Sequence, residues 1–325
     1  MAFEILKEPN PGRVVEVTLG ATSEQGGTRS HTLTIGGSNA LPFHFFEGKH
    51  FYPPVVAMEV FDKVPPKYPE PLLEYYREVI DSPGDMAKKC VNEYGAEMIS
   101  VRLEGTHPEK GNKSAEEAAD VVKQVLQSVH VPLIITGHSH FEKINEVMKK
   151  VCEVAAGENC LINYVETDNY KTITAACIAY NHTVVAQTPI DVNLAKQLNI
   201  LLTDMNFPRE RIVMDPLTGT LGYGLEYTYS IMERIRIDGL AGDQMLDFPM
   251  LVNPGYETFC VKEARVSEED YPSWGKLDKR GLYWETATAM SLLAAGAELL
   301  IMYHPKAVET VKKKIAEIYG LEKGE

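Results

Sequence analysis

Residues Val55 to Phe61 read V-V-A-M-E-V-F, six apolar residues and one glutamate with no polar alternation. A strand wet on one face alternates apolar and polar, whereas a strand apolar on both faces belongs in a parallel sheet covered on both sides. Seven comparable runs follow: E-M-I-S-V-R-L from Glu97, V-P-L-I-I-T-G from Val131, C-L-I-N-Y-V from Cys160, T-V-V-A-Q-T from Thr183, R-I-V-M-D from Arg211, P-M-L-V-N from Pro249 and E-L-L-I-M-Y from Glu298. Their mean separation, about 35 residues, suits strand-plus-helix units.

The intervening segments carry the helical period. Over Ser114–Val129, Ala118, Val121, Val122, Val125, Leu126 and Val129 form one apolar stripe, and Ser114 with Glu117 predicts a capping box. Over Pro305–Gly320, Val308, Val311, Ile315 and Ile318 do the same, with proline at the start and glycine at the stop. Phe141–Ala156 and Val192–Met205 fit less regularly. Eight such alternations predict an α/β chain folded as a (β/α)8 TIM barrel over residues 55–325. A doubly wound open sheet is the alternative, because closure leaves no mark in a sequence.

Residues 1–54 read as a separate extension. Val15, Val17 and Leu19 share one face of Arg13–Leu19, Leu33 and Ile35 one face of His31–Ile35, and Gly26-Gly27 lies between them. This predicts a β-hairpin with a long loop, followed by the aromatic passage L-P-F-H-F-F-E-G-K-H-F-Y-P-P, the whole covering some other part of the molecule.

The chain has 325 residues, 44% of them hydrophobic, and a formal net charge of −14. That charge argues against nucleic acid, whose phosphates require Lys and Arg, and against an anionic membrane. The apolar stretch Met290–Met302 is broken by Gly296 and Glu298 and falls short of the ~20 residues of a membrane helix. The start M-A-F-E-I-L-K-E-P has no basic segment and no apolar signal core, so a cytoplasmic protein is expected. Cys90, Cys152, Cys160, Cys177 and Cys260 are odd in number and contain no C-x-x-C. Buried reduced thiols are the expectation, and this chain alone is not expected to hold an iron–sulfur cluster.

In a TIM barrel, chemistry gathers on the loops after the strands. The predicted strand ends present Glu59 and Asp62; Arg102 and Glu104; Gly137, His138 and His140; Asn163 and Glu166; Gln187 and Thr188; Asp215 and Thr218; Asn253; and Tyr303 and His304. His138-Ser139-His140 invites a metal reading, but a zinc site needs three or four ligands and no histidine stands at the fifth or sixth strand end, so hydrogen-bonding histidines are expected. Glu59, Glu104, Glu166 and Asp215 could pair for acid–base work or simply hold loops and Arg102. The sixth run continues as V-M-D-P-L-T-G-T-L-G-Y-G-L-E-Y, Val213 to Tyr227. Its G-x-x-G-x-G order is neither a dinucleotide fingerprint nor a P-loop. Gly219, Gly222 and Gly224 exceed what a turn requires, and Leu221 and Tyr223 would offer flat apolar surface. Pro254–Tyr283, holding Tyr271 and Trp274, reads as a long charged loop ahead of a helix starting near Trp284, suited to a protein or cofactor contact.

The extended N-terminus, P-P-V-V-A-M-E-V-F-D at the first strand and M-D-P-L-T-G-T-L-G-Y-G-L-E-Y after the sixth resemble, over essentially the whole chain, the small (delta) subunit of the corrinoid iron–sulfur protein of the acetyl-CoA pathway. The resemblance implies a heterodimer with a large corrinoid iron–sulfur protein subunit that carries the [4Fe-4S] cluster and a corrinoid (cobamide). The strand-end face of this barrel would cap that corrinoid at the interface. A methyl group would then pass from methyltetrahydrofolate, through a methyltetrahydrofolate methyltransferase, to acetyl-CoA synthase. The absence of a cysteine cluster and of D-x-H-x-x-G agrees with a chain that holds neither cluster nor lower cobalt ligand. Thr218, Gly219, Leu221, Gly222 and Tyr223 are the expected cap, with Asn163, Gln187 and Asp215 as polar neighbours, no catalytic group and no metal ligand of its own. The alternatives are a stand-alone pterin-dependent methyltransferase barrel, with Asn163 and Asp215 at the pterin's amide-like edge, a metal-dependent hydrolase, and a non-catalytic scaffold.

Overall fold

The computed structural model describes residues 5–65 and 68–321. The first four residues of the expected extension, and residues 66–67 and 322–325 of the expected barrel, lie outside them. The hairpin strands are β1 (Val17–Leu19) and β2 (Leu33–Ile35). The eight apolar runs become β3 (Val55–Phe61), β4 (Met98–Arg102), β5 (Leu133–Thr136), β6 (Leu161–Val165), β7 (Thr183–Gln187), β8 (Ile212–Asp215), β9 (Met250–Val252) and β10 (Ala297–Met302). They close in the order β10-β3-β4-β5-β6-β7-β8-β9, every pair parallel. The open-sheet alternative is thereby set aside.

The strands are apolar on both faces because each face meets a core. Val56, Met58 and Val60 of β3, like Ile99 and Val101 of β4, pack outward into the main core with the helices. The alternate residues Val55 and Ala57, with Met98, Ile134, Leu161, Val185, Val213, Leu251, Leu299 and Ile301, fill the lumen. Following that inward set toward the strand ends, polarity rises: Glu59, Ser100 and Arg102, Thr136, Asn163, Gln187 and Asp215 continue it. The period-2 pattern thus hides a gradient, apolar at one end of the barrel and polar at the other.

The hairpin seals the apolar end. β1 and β2 pair antiparallel, Val17 with Ile35 and Leu19 with Leu33. Val17, Leu19 and Ile35 enter the lumen cluster. Burying three such side chains contributes on the order of 5–8 kcal/mol. Arg29, 3% exposed, locks the extension in place. It donates to Glu158 at 2.9 Å, to the Val129 carbonyl at 2.7 Å and to the Leu126 carbonyl at 2.9 Å.

The surrounding helices are α1 (Glu70–Tyr76), α2 (Pro83–Asn92), α3 (Ala115–Ser128), α4 (Phe141–Val154), α5 (Tyr170–Tyr180), α6 (Val192–Asp204), α7 (Leu225–Leu240), α8 (Pro254–Cys260), α9 (Leu277–Ala294) and α10 (Pro305–Tyr319). The capping box forms as expected: Ser114 N donates to Glu117 at 2.7 Å and Glu117 N to Ser114 Oγ at 3.1 Å. α10 ends at Gly320 in the left-handed region. The segment from Pro254 departs from expectation. It opens with α8, whose first turn is capped by Asn253 and carries proline, and α9 begins at Leu277 rather than near Trp284. Four cysteines are buried and free, while Cys260 at the end of α8 is exposed, unlike the expectation for all five. Among the described residues, no helix is long and apolar enough to cross a membrane.

Candidate functional site at the barrel mouth

Glu59 organises the polar end of the lumen. The residue is 2% exposed, and its carboxylate accepts from Arg102 Nε at 2.6 Å, Tyr303 Oη at 2.6 Å and Ser100 Oγ at 2.7 Å. Burial opposes the charge on Arg102, but Glu59 beside it more than compensates and holds the guanidinium well above the usual arginine range. The Arg102 guanidinium also lies 4.2 Å over the Tyr256 ring. From Glu59 the hydrogen bonds continue through Ser100 Oγ to Thr136 Oγ1 at 3.0 Å, and Asn163 Nδ2 meets Thr136 Oγ1 at 3.3 Å.

Above this layer is an open polar cavity of about 190 Å³. Arg102, Asn163, Gln187, Asp215, Thr218 and Asn253 reach it from the strand ends, and Gly137 and His138 from the loop after β5. Asp215 is 4% exposed and accepts from Gln187 Nε2 at 2.9 Å and from Leu217 N at 2.8 Å. Burial pushes its carboxyl up to about 6, against the pull of these donors and of Arg102. Glu257, on α8, is pushed up to about 7 by burial. His138 Nδ1 accepts from His140 N, so Nε2 carries the hydrogen of the neutral ring and donates to Thr106 Oγ1, 2.9 Å away, which makes it a hydrogen-bonding histidine. Burial, then the His107 ring 5.0 Å away, brings it down to about 4, neutral at ordinary pH. Among the described residues no group of three or more His, Cys, Asp or Glu could hold a metal.

Four of the eight expected binding residues, Asn163, Gln187, Asp215 and Thr218, therefore share one cavity. The other four, Gly219, Leu221, Gly222 and Tyr223, do not line it; they follow Thr218 in the loop between β8 and α7. Each glycine of that loop has a reason inside the loop. A Cβ on Gly219 would stand 2.5 Å from the Gly224 carbonyl oxygen, and Gly222 and Gly224 have φ of +75° and +94°. The loop is pinned at its base by Thr228, which bridges Gly219 N and the Leu217 carbonyl, and at its tip to α9, where Thr220 Oγ1 is 2.9 Å from Thr288 Oγ1. Tyr223 Oη donates to Glu263 at 2.9 Å. What the loop offers outward is Leu221, Tyr223 and Tyr227, 41%, 52% and 64% exposed.

His107, Lys110, Tyr256 and Glu257 also line the cavity, and sequence reasoning did not place them there. For Tyr256 and Glu257 the signal was present: N-P-G-Y-E puts a capping asparagine before proline, the start of a helix standing over the mouth. For His107 none was, since its neighbours His138 and His140 arrive from another strand. A second cavity of about 280 Å³, mainly apolar, adjoins the first across Arg102 and Tyr256.

The family model described as CO dehydrogenase/acetyl-CoA synthase delta subunit matches residues 16–309. The acetyl-CoA decarbonylase/synthase complex subunit delta of Archaeoglobus fulgidus is 40% identical over 324 residues, covering 98% of this chain and 71% of that protein. The subunit delta 1 of Methanosarcina thermophila is 39% identical over 314 residues, covering 94% and 71%. Subunit delta of Methanocaldococcus jannaschii is 36% identical over 307 residues, covering 94% and 74%. Among solved structures, dihydropteroate synthase from Vibrio fischeri superposes with a TM-score of 0.57 at 14% identity, covering 86% of this chain and 97% of that one. The enzyme from Xanthomonas albilineans with 4-aminobenzoic acid gives 0.56 at 14% identity, covering 86% and 96%. At that identity the likeness concerns the barrel fold alone.

Proposed function

The chain belongs to the CO dehydrogenase/acetyl-CoA synthase delta-subunit family, and we propose that it is the barrel subunit of a corrinoid methyl carrier within such a complex. Its strand-end face covers a corrinoid held by a larger partner subunit, which also carries the [4Fe-4S] cluster. The carrier takes a methyl group from methyltetrahydrofolate through a methyltransferase and yields it to acetyl-CoA synthase.

The observation that carries this reading is the rim. Leu221, Tyr223 and Tyr227, which follow Thr218 of the polar mouth in the loop and first turn of α7, leave large apolar side chains exposed. The mouth cavity, at about 190 Å³, has no room for a macrocycle, so a corrin fits these residues only by lying across the opening. Bound there, the cobalt supplies the methyl-transfer chemistry. The residues of this chain would give Leu221 and Tyr223 as contact surface, exclude water from one side of the ring, and leave Asn163, Gln187 and Asp215 facing it from beneath. The loop's anchors to Thr228 and Thr288 keep that edge in place.

The test is cobalt content and the visible spectrum of the chain alone and of the complex it forms with its partner. Stoichiometric cobalt with a corrinoid band only in the complex, altered by Tyr223→Asp, is the expected result. A chain that stays cobalt-free in every complex it forms overturns the reading.

A further inference from the structure

The second cavity, of about 280 Å³, differs from the mouth in its chemistry. Phe61 at the end of β3, Tyr68 and Pro69 just ahead of α1, Tyr256 and Phe259 of α8, and Tyr303 after β10 supply its apolar wall. The rings hold one another. Phe61 meets Tyr68 edge-on at 5.8 Å and Tyr303 edge-on at 5.4 Å, and Tyr303 stacks with Phe259 at 6.0 Å. Tyr303 is fixed further by its hydroxyl, which donates to Glu59. The space is thus formed before any ligand arrives, which lowers the ordering cost of filling it. An engineered apolar cavity of about 150 Å³ accepts benzene, so this one has room for a phenyl ring with a short chain, or a branched aliphatic body of that size. Arg102, lying over Tyr256, is the partition between it and the polar mouth.

Three cations border the cavity: Arg102, Lys110 and Arg265. Arg102 is paired with Glu59 and Lys110 with Glu104. Arg265 has no carboxylate within ion-pairing distance among the described residues. Its guanidinium donates only to the backbone carbonyls of Val261 at 3.3 Å and Cys260 at 2.7 Å. One positive charge is therefore left over. It stands where the cavity adjoins an open trough that Arg265 and Lys262 line together with Tyr68 and Pro69. Lys262, its ammonium 4.1 Å over the Tyr271 ring, likewise meets no carboxylate among the described residues. A cationic guest would add to that excess. A sugar phosphate would answer it but would set hydroxyls against ring faces that leave them unpaired.

We infer that this cavity is a binding site of its own, for a small monocarboxylic acid with an aromatic or branched apolar body. The body lies among Phe61, Phe259 and Tyr303, and the carboxylate meets Arg265, with Lys262 adding to the local positive field. The inference uses neither the corrinoid nor the partner subunit, so it stands or falls separately from the proposed function.

Cys260 gives the readout, because it lines this cavity and is exposed while the other four cysteines are buried. The full chain is alkylated with iodoacetamide, a small neutral reagent, at mildly alkaline pH. Modification of Cys260 is followed by mass spectrometry in rising 3-phenylpropionate and, in parallel, its neutral amide. Saturable protection is expected, at roughly three-fold lower concentration for the acid than for the amide, as one ion pair at a partly exposed guanidinium gives. Added salt should narrow that preference. Arg265→Gln should bring the two ligands level without touching the ring walls. Cys260→Phe, which sets a ring inside the cavity, should abolish the heat of binding of 3-phenylpropionate in calorimetry. No saturable protection at millimolar concentration, equal protection by acid and amide, a preference unchanged in Arg265→Gln, or undiminished heat in Cys260→Phe would overturn the inference.

Discussion

Replacing Glu59 by leucine should be among the most damaging single changes in the molecule, and Arg102→Met should partly repair it. The Glu59 side chain is 0% exposed and that of Arg102 8%. Removing the carboxylate leaves a guanidinium buried without its counter-charge, at about 3–5 kcal/mol. The hydroxyls of Ser100 and Tyr303 lose their shared acceptor as well, adding about 1–3 kcal/mol for each that finds no substitute. Arg102→Met alone leaves the carboxylate with two neutral donors and should cost less, about 2–4 kcal/mol. With both replaced, no charge remains buried, so the double variant should be less destabilised than the sum of the singles by at least about 2 kcal/mol. Urea unfolding of the four proteins at neutral pH measures this coupling. An exposed pair would give about 0.2–1 kcal/mol. Additivity within about 0.5 kcal/mol would refute the claim that this pair is the buried hub of the mouth.

Gly219→Ala should displace the rim loop, because its Cβ would meet backbone at 2.5 Å, whereas Gly222→Ala meets only Trp284 at 3.7 Å and should cost about 1 kcal/mol for its left-handed φ. Thermal melts of both, with the corrinoid spectrum of the complex, separate the two. Arg29→Ala should destabilise the chain by about 3–5 kcal/mol by leaving Glu158 unpaired and three connections to the barrel floor broken; limited proteolysis should then cut the extension first. Asp215, pushed up to about 6 in the fold, binds more protons folded than unfolded between about pH 4 and 6, so its contribution to stability is present below that window and lost as pH rises through it. Asp215→Asn should therefore gain on the parent protein across that range, by on the order of 2–3 kcal/mol at pH 7, read from paired unfolding curves at several pH values.

All eight barrel strands were legible, because a strand buried on both faces has to be written in apolar residues whatever its loops do. The helices with long amphipathic stripes were legible for the same reason, while α8, seven residues long, has too short a stripe to read and announced itself only through the Asn253-Pro254 cap. Of the site, the strand-end polar residues were visible as breaks in the apolar runs. Their grouping was not, because Asn163, Gln187 and Asp215 become neighbours only through the pairing and register of β6, β7 and β8. The glycine loop was read as bare backbone awaiting a partner, yet its geometry satisfies its own glycines, and its outward side chains are what remains to meet anything else.

The hairpin explains why all of this gathers at one end. With Val17, Leu19 and Ile35 in the lumen, the floor is closed and apolar, and polar side chains have a place only near the opposite opening. Any ligand of the lumen would therefore have to enter and leave through the mouth, past Arg102, Asn163, Gln187 and Asp215, because the packed hairpin leaves no second route through the floor.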